Sequence, residues 1–373
     1  MKYCSILYMC ILSIYSCTSG YKHGNDRFES ESYRIHLDFS DLSDTLRFST
    51  FIDSVEEKTL VLPDSLYLGE ASQVYIDAAN IFVTDWRQNC IYRFDKEGKF
   101  INEINCWGEG PEEYLRINKT WVHNDILYIH DDRGLKINYY TLEGDFKGKI
   151  TCKNHFSDIE MLSDSSFLCF TPTYINENPT GAWLMDNQGE FRRSLLSYNG
   201  PYPFISTLWH YFYRMETGHI GLFSPGTDSF FSFMDDSLKV SATIDCAQRT
   251  PASFTGISSC MDVKEDFYNL PWFVNGDKWL LMCYSHFKGS EAYYALYSKA
   301  KKECGIYEIL SVDVGSGQLL GGPVSSNMAD CLVTIVANDY LSMAYDMMGT
   351  KMPEEDTNNS SLSYLRLKIY YFK

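Results

Sequence analysis

Signatures that would assign an activity are absent from this sequence of 373 residues. It contains no GxSxG nucleophile elbow, no HExxH zinc motif, no P-loop and no GxGxxG run that opens a helix. It also has no CxxC pair, and its cysteines past the N-terminal region are irregularly spaced. This spacing favours buried hydrophobic thiols, with one or two disulfides as the alternative. We therefore predict no metal site and no cofactor.

Positive charge is scarce as well. The chain has 32 Lys and Arg residues against 49 Asp and Glu residues, which gives a net charge of −17. A surface with this excess of negative charge repels the phosphate backbones of nucleic acids and the headgroups of anionic lipids. We therefore predict that the protein does not bind nucleic acid. Beyond the N-terminal region no run of 18 apolar residues occurs. No membrane-spanning helix is therefore predicted.

The N-terminal region reads as a processing segment. Lys2 precedes about a dozen largely apolar residues, and the sequence Ile14-Tyr15-Ser16-Cys17 resembles the lipobox of bacterial lipoproteins. We predict a lipoprotein signal peptide over residues 1–16, a lipidated Cys17 and a flexible tether over residues 17–32. Membrane contact would then occur only through the lipid anchor.

Two alternatives concern this N-terminal region. An ordinary secretory leader would be cleaved near Ser19-Gly20 and would leave no anchor. A lipid-anchored protein could face either the periplasm or the exterior of the cell. Surface-exported lipoproteins of this kind often carry an acidic cluster just after the lipidated cysteine, and residues 18–25 contain no Asp or Glu. This favours the periplasmic side over the cell surface.

The rest of the chain is organised around a pattern that occurs twice between residues 74 and 146, with an offset of 46 residues. The equivalent pairs are Ile76 and Val122, Phe82 and Tyr128, Asp85 and Asp131, Ile91 and Ile137, Phe94 and Tyr140, Gly98 and Gly144, and Phe100 and Phe146. A third partial copy places Gly189 and Phe191 a further 45 residues on. Short strands repeating every 40–50 residues are typical of a β-propeller.

We predict that residues 33–373 form one all-β domain, a six-bladed β-propeller of four-stranded antiparallel blades. An open ring would leave two raw sheet edges, so propellers need a closing strand. The alternating run YRIHLDF at 33–39 and the run KTLVL at 58–62 precede the repeat. We therefore expect these N-terminal strands to join the last blade.

Several repeated residues have predicted structural roles. Asp85 and Asp131 end the second strand of their blades, where a carboxylate can accept backbone N–H groups of the next turn; a ligand role is the alternative. Gly98, Gly144 and Gly189 occupy hairpin turns that need a positive φ. In the connection CWGEGPEEYLRI, the residues Gly108, Gly110 and Pro111 predict a sharp excursion, and Tyr114 is expected to pack back onto the next sheet.

These motifs resemble the six-bladed β-propeller lipoproteins of Bacteroides and related bacteria, which are similar to NHL-repeat propellers. The matching residues are Asp95, Gly98, Phe100, Gly108, Gly110, Pro111, Glu113 and Tyr114, whereas Glu112 stands where the common form has glycine. The match is close over residues 70–150. The resemblance implies an envelope lipoprotein and leaves the ligand open.

Two groups of residues are candidates for ligand binding. Tyr202, Trp209 and Tyr211 belong to an aromatic-rich segment whose rings could stack on sugars, or could fill the core between blades. The second group, Trp86, Arg87 and Arg133, lies in turns after the second strand of two blades. There these side chains would line a pocket or form an ordinary solvated turn.

From these features we predict an exported, lipid-anchored propeller that acts as a non-catalytic binding module of the bacterial envelope. Its partner would be a glycan, a peptide or an envelope protein. The alternative is a glycoside hydrolase or lyase that uses two carboxylates at the channel mouth. A third hypothesis is an assembly component that docks another envelope protein.

Overall fold

The computed structural model describes residues 32–172, 179–197, 208, 210–246, 268–286, 291–315, 323–337 and 364–373. Within these ranges the chain forms β-strands and one short 3-10 helix, Phe48–Thr50, and has no α-helix. None of the described segments is a helix long and apolar enough to cross a membrane. The strands form six small sheets arranged as a six-bladed β-propeller, which confirms the predicted fold class.

Three strands precede the repeat and are followed by five blades of consecutive strands. The first three are β1 (Tyr33–Leu37), β2 (Leu42–Arg47) and β3 (Ile52–Val61). Blade one has β4 (Ala71–Ile76), β5 (Asn80–Asp85), β6 (Cys90–Asp95) and β7 (Phe100–Ile104). Blade two has β8 (Lys119–His123), β9 (Ile126–Asp131), β10 (Lys136–Thr141) and β11 (Phe146–Thr151). Blade three has β12 (Asp158–Ser163), β13 (Ser166–Thr171), β14 (Gly181–Asp186) and β15 (Phe191–Leu196).

The remaining blades follow the same order. Blade four has β16 (Phe212–Arg214), β17 (Ile220–Ser224), β18 (Ser229–Met234) and β19 (Ser237–Cys246). Blade five has β20 (Tyr268–Asn275), β21 (Trp279–His286), β22 (Ala292–Ser298) and β23 (Glu303–Ser311). The last strands are β24 (Ser325–Ser326), β25 (Cys331–Ala337) and β26 (Tyr364–Phe372). In blades two to five, the first strand forms the inner edge of the sheet, whereas in blade one the short strand β24 pairs in parallel with β4 on that edge.

Blade six joins the two ends of the propeller. Its described strands have the order β25-β26-β3, so the N-terminal strand β3 is its outermost strand. The pairing of β3 with β26 is antiparallel and places Leu60 opposite Leu365. The expectation that an N-terminal strand completes the last blade is therefore confirmed for β3.

The first predicted strand has a different partner from the one we expected. Tyr33–Leu37 does not join blade six but pairs in parallel with β19, as a fifth strand on the outer edge of blade four. The strand β2 covers β23 of blade five in the same way. An alternating pattern predicts a half-buried strand but not the edge that it covers, and these two long outer strands would otherwise present open edges.

The second strand of each blade is buried on both faces because neighbouring blades pack against it. All six residues of β5 are buried, which explains why its sequence NIFVTD does not alternate in the usual way. Between blades one and two, Phe82, Ile129 and Tyr140 belong to one core cluster. The eight cysteines in the described part of the chain are free thiols. Four of the hydrophobic clusters between the blades contain at least one of them, or have one packed against them.

The repeated aspartates sit at the blade ends and accept backbone hydrogen bonds. The carboxylate of Asp85 accepts from the N–H groups of Gly69, Glu70, Arg87 and Gln88. The carboxylate of Asp131 accepts from the N–H groups of Leu115, Arg116 and Gly134. All three donors to Asp131 lie 46 residues after donors to Asp85, the same offset as between the aspartates. Each carboxylate therefore joins the entry of its blade to the turn after its second strand.

The repeated glycines all have positive φ, and two of them lie against the preceding blade. The φ angles of Gly98, Gly144 and Gly189 are 87°, 100° and 78°. A Cβ atom on Gly98 would lie 2.1 Å from the carbonyl oxygen of Thr59, and one on Gly189 would lie 2.0 Å from that of Thr151. Both neighbours belong to the outermost strand of the blade before.

The connection between blades one and two folds around a glutamate. The Glu113 carboxylate accepts a 2.7 Å hydrogen bond from the Gly110 N–H, and a Cβ on Gly108 would lie 1.9 Å from the same oxygen. Pro111 lies in the turn between these groups. The ring of Tyr114 is fully buried, and its hydroxyl donates to the Asn89 carbonyl at 2.7 Å.

Candidate functional site in the central channel

The innermost strands of the six blades surround two adjoining cavities. The first, here called the wide cavity, has a volume of about 650 Å³ and is bounded by blades one, four, five and six. The second, the narrow cavity, has a volume of about 240 Å³ and is bounded mainly by blades two and three, with smaller parts from blades one and four and from residues 325–327. Both are lined by Phe212, Tyr213, Arg214, Ser325 and Ser326, so they are neighbouring parts of one channel.

The wall of the wide cavity is largely apolar. Its apolar side chains include Trp86, Trp272, Phe273, Val324, Met328 and Val336. Polar groups are few, and one pair of them is already satisfied, because Asn275 donates a 2.8 Å hydrogen bond to the Tyr213 hydroxyl. An apolar cavity with a small number of placed polar groups is the usual form of a small-ligand site.

Four charged side chains from three blades meet beside the narrow cavity, and we call them the ionic cluster. Lys119 Nζ lies 2.9 Å from Asp158 Oδ1 and 2.8 Å from Glu160 Oε1. The second oxygen of Glu160 accepts from a terminal nitrogen of Arg214. Lys119 and Asp158 are 8% and 0% exposed, so their ion pair is almost completely withdrawn from water.

The two buried partners stabilise each other's charged forms. Burial by itself lowers the pKa of Lys119, but the carboxylates of Asp158 and Glu160 outweigh this effect and raise it above its usual value. Burial likewise acts to raise the pKa of Asp158, yet Lys119 and the hydrogen bonds to the carboxylate hold that pKa well below its ordinary range. Lys119 and Asp158 therefore form a charged pair at neutral pH.

Hydrogen bonds between successive innermost strands fix the channel wall. The Gln73 side chain donates to the Thr120 carbonyl at 2.8 Å and accepts from the Thr120 N–H at 2.9 Å. Asp158 Oδ2 accepts from the N–H groups of Tyr211 and Phe212 at 2.6 and 3.0 Å. These bonds join blade one to two and blade three to four, so the wall is preformed rather than assembled by a ligand.

His210 lies behind this wall and also lines the wide cavity. Its side chain is 6% exposed, and its Nδ1 lies 3.8 Å from Asp158 Oδ1. This separation exceeds hydrogen-bond length. The histidine therefore packs beside the ionic cluster without forming the tight base–carboxylate contact of a catalytic dyad.

The first predicted binding group is divided by the structure. Trp86 lines the wide cavity and is half-buried. Arg87 lies next to that ring, 5.7 Å from its centroid, and forms a 2.8 Å ion pair with Glu70. Arg133 is exposed and borders neither cavity.

The second predicted group is described only in part. Tyr211 is 3% exposed, and its ring lies 4.9 Å from that of Phe170, in the core between blades three and four. A buried ring in this position packs between blades and does not offer a face to the channel. Tyr202 and Trp209 lie outside the described residues, as does Cys17.

Sequence reasoning missed the ionic cluster. Lys119, Glu160 and Arg214 stand on three short strands that are far apart in the chain. One signal was present, because Lys119 is 46 residues after Gln73 and so begins the innermost strand at the equivalent position. No spacing rule connects it to Asp158 or Glu160.

The described acids that line the channel do not include the pair that a glycosidase needs. Such an enzyme requires one carboxyl group that stays protonated and a second that acts as nucleophile or base. Asp158, Glu160 and Glu70 are all engaged in ion pairs. Burial raises the pKa of Asp330, which leaves one candidate acid on the wall of the wide cavity. The described residues also contain no cluster of His, Cys, Asp or Glu that could hold a metal ion.

Comparisons with known proteins support the fold. A crystal structure of a protein from Bacteroides fragilis, assigned as exported, has a TM-score of 0.70 at 16% identity and covers 92% of this chain and 99% of its own. A DUF4221 family member from Bacteroides vulgatus has a TM-score of 0.50 at 11% identity, covering 87% of this chain and 97% of its own. At these identities the likeness concerns the fold alone, and it confirms the resemblance to propellers of Bacteroides.

The comparison with curated proteins gave no match. Residues 32–365 match a protein family described as a domain of unknown function, DUF4934. This range contains the ionic cluster, both cavities and every described strand except most of β26, of which it includes the first two residues. The chain therefore belongs to the DUF4934 family.

Proposed function

We propose that the protein is an exported, lipid-anchored binding module that holds a small ligand, or the end of a longer one, in the wide cavity and releases it unchanged. The observation that carries this proposal is the wide cavity itself. Its volume of about 650 Å³ falls within the range of about 300–1,000 Å³ usual for ligand pockets. Its apolar wall provides the area that drives binding, and its few polar groups provide orientation.

The state of the charged groups favours binding over catalysis. Lys119 holds the pKa of Asp158 well below its ordinary range, so this carboxylate is not available as a general acid, and Glu160 is engaged in ion pairs with Lys119 and Arg214. The hydrogen bonds of Gln73 fix the wall before a ligand arrives. A preformed wall reduces the entropy lost when the ligand binds.

Filling the wide cavity is expected to abolish binding. Val336 is half-buried on the cavity wall, and a Val336→Trp substitution would place an indole in the space that a ligand needs. We expect the neutral apolar fluorophore N-phenyl-1-naphthylamine to bind the wild-type protein with increased fluorescence. The affinity of V336W for the dye should be at least about 10-fold lower, because the apolar area that the dye buries would be lost.

The matched control is Val240→Trp. Val240 lies on β19, the fourth strand of blade four and far from the inner strands, and is 39% exposed. The same substitution there leaves the channel unchanged. V240W should bind the dye like the wild type, and both variants should unfold cooperatively. Equal dye binding by V336W and the wild type, or no binding by either, would contradict the proposed channel site.

The envelope location rests on two observations. Residues 14–17 form the lipobox-like sequence that ends at Cys17. The Bacteroides fragilis protein with the same fold is described as exported. Acyl chains on Cys17 would hold the propeller at a membrane without a spanning helix. We propose that it faces the periplasm, where its ligand would be a glycan fragment, a peptide or part of an envelope protein.

Removing the anchor is expected to release the protein. In cells that express the full chain, Cys17→Ser should move the protein from the membrane fraction to the soluble periplasmic fraction, because no acyl chain can be attached. The matched control is Cys10→Ser within the predicted signal peptide, which should remain in the membrane fraction. If C17S stays with the membranes like C10S, the anchor proposal is wrong.

A further inference from the structure

Arg214 stands where the two cavities meet. It lies on β16, lines both cavities, and its side chain is 35% exposed. It is the charged residue that the two linings have in common. A group bound to Arg214 could therefore extend directly into the wide cavity.

The guanidinium of Arg214 keeps donors available. A terminal nitrogen bonds to Glu160, and within the described part of the chain the other N–H groups have no hydrogen-bond partner. An arginine side chain carries five donors, stays protonated and accepts nothing. The group that complements it must therefore be a hydrogen-bond acceptor.

Two serine residues, Ser325 and Ser326, line the same two cavities as Arg214. The Ser326 hydroxyl accepts from the Met328 N–H at 3.2 Å, which leaves its own proton for a ligand. The junction therefore combines a planar cation with neutral donors, and a carboxylate matches this set better than any single acceptor.

Charge limits the ligand to one negative group. Lys119 and Arg214 are balanced by Asp158 and Glu160, so the junction has spare hydrogen-bond donors but no excess of positive charge. The chain as a whole carries a net charge of −17, which repels polyanions and phosphate dianions. A single carboxylate attached to an apolar body can offset this repulsion through burial in the wide cavity.

We infer that the channel binds an apolar monocarboxylate, with its carboxylate on Arg214, Ser325 and Ser326 and its apolar body in the wide cavity. This inference rests on the proposed function, since it names the ligand class of the same site. An acyl chain and the C-terminal end of a short apolar peptide share this chemistry. Neither requires any covalent step.

Head-group comparison tests the inference. Decanoate, decan-1-ol, trileucine and trileucine amide would each be titrated against the protein preloaded with N-phenyl-1-naphthylamine. We expect at least one carboxylate to displace the dye about 10- to 100-fold more tightly than its neutral counterpart, as expected for hydrogen bonds to a charged group. The decanoate and trileucine arms distinguish an acyl source from a peptide source.

Substitution of Arg214 provides the second measurement. R214M should remove the advantage of the carboxylate over its neutral counterpart, a ratio measured within one variant that does not depend on how tightly that variant binds the dye. R214K should retain part of this advantage, because lysine keeps the charge but lacks the planar pair of donors. The matched control is R116M, since Arg116 pairs with Asp132 and borders neither cavity. Dye binding without any carboxylate preference, or a preference unchanged in R214M, would overturn this inference alone. Failure of the dye itself to bind would instead overturn the proposed function.

Discussion

Replacing Lys119 with methionine is expected to lower the free energy of unfolding by about 3–5 kcal/mol, the cost of breaking a buried ion pair from one side. Methionine keeps most of the length of the side chain but removes the charge. Asp158 is 0% exposed and would then be left without its cation. Its two backbone hydrogen bonds, from Tyr211 and Phe212, do not replace that charge. Urea unfolding followed by tryptophan fluorescence measures the loss.

The control is Lys153→Met. Lys153 forms a 2.7 Å ion pair with Glu190, but the two side chains are 65% and 45% exposed, so water replaces the lost contact. K153M should unfold like the wild type. A double variant that also carries Asp158→Asn should recover part of the stability lost by K119M, because the uncompensated charge is removed. Equal stability of K119M and K153M would show that the buried pair contributes little.

Acid unfolding gives the same pair a second readout. Because Lys119 holds the pKa of Asp158 below its ordinary value of about 3.9 in the folded state, this group stabilises the fold above that value. The contribution is lost as the pH falls below about 4 towards the folded-state pKa. The wild type should therefore lose its stability advantage over K119M in this acid range and keep it at neutral pH.

The repeat determined most of what could be predicted from the sequence. Strand alternation, turn glycines and the offset of 46 residues are local properties, so they placed Asp85 and Asp131 in equivalent positions and gave the number of blades. The C-terminal run YLRLKIYYF also alternates apolar and polar residues over most of its length, and it forms β26 of blade six. Its pairing with β3 followed from the need to close a ring.

The remaining features depend on contacts between distant parts of the chain. The strand β1 carries a clear alternating pattern, but any open outer edge could accept it, and it pairs with β19 more than 200 residues away. Lys119 and Arg214 are likewise brought to Glu160 by the curvature of the ring. A charged residue at the end of a strand is usually predicted to be exposed to solvent. The burial of Lys119 and Asp158 was therefore visible only in the structure.

A methyl group at Gly98 is expected to weaken the closure of the propeller. The turn that contains Gly98 touches the closing strand, since the Val61 N–H donates to the Gly98 carbonyl at 2.9 Å. In Gly98→Ala the new Cβ would lie 2.1 Å from the carbonyl oxygen of Thr59, at a φ of 87°. The left-handed backbone costs about 1–2 kcal/mol and the overlap about 1–3 kcal/mol more, so we expect a loss of about 2–5 kcal/mol.

Gly218→Ala separates these two costs. Gly218 has a φ of 79°, close to that of Gly98, but a Cβ there would meet nothing within 4 Å. G218A should therefore lose only the backbone part, about 1–2 kcal/mol, in the same urea titration. The difference between the two variants measures how tightly blade one is held against β3. Because β3 pairs with β26, it also measures the closure that keeps the walls of the channel in place. Equal losses would mean that the closing strand yields to the added methyl group and that the ring is held by its other contacts.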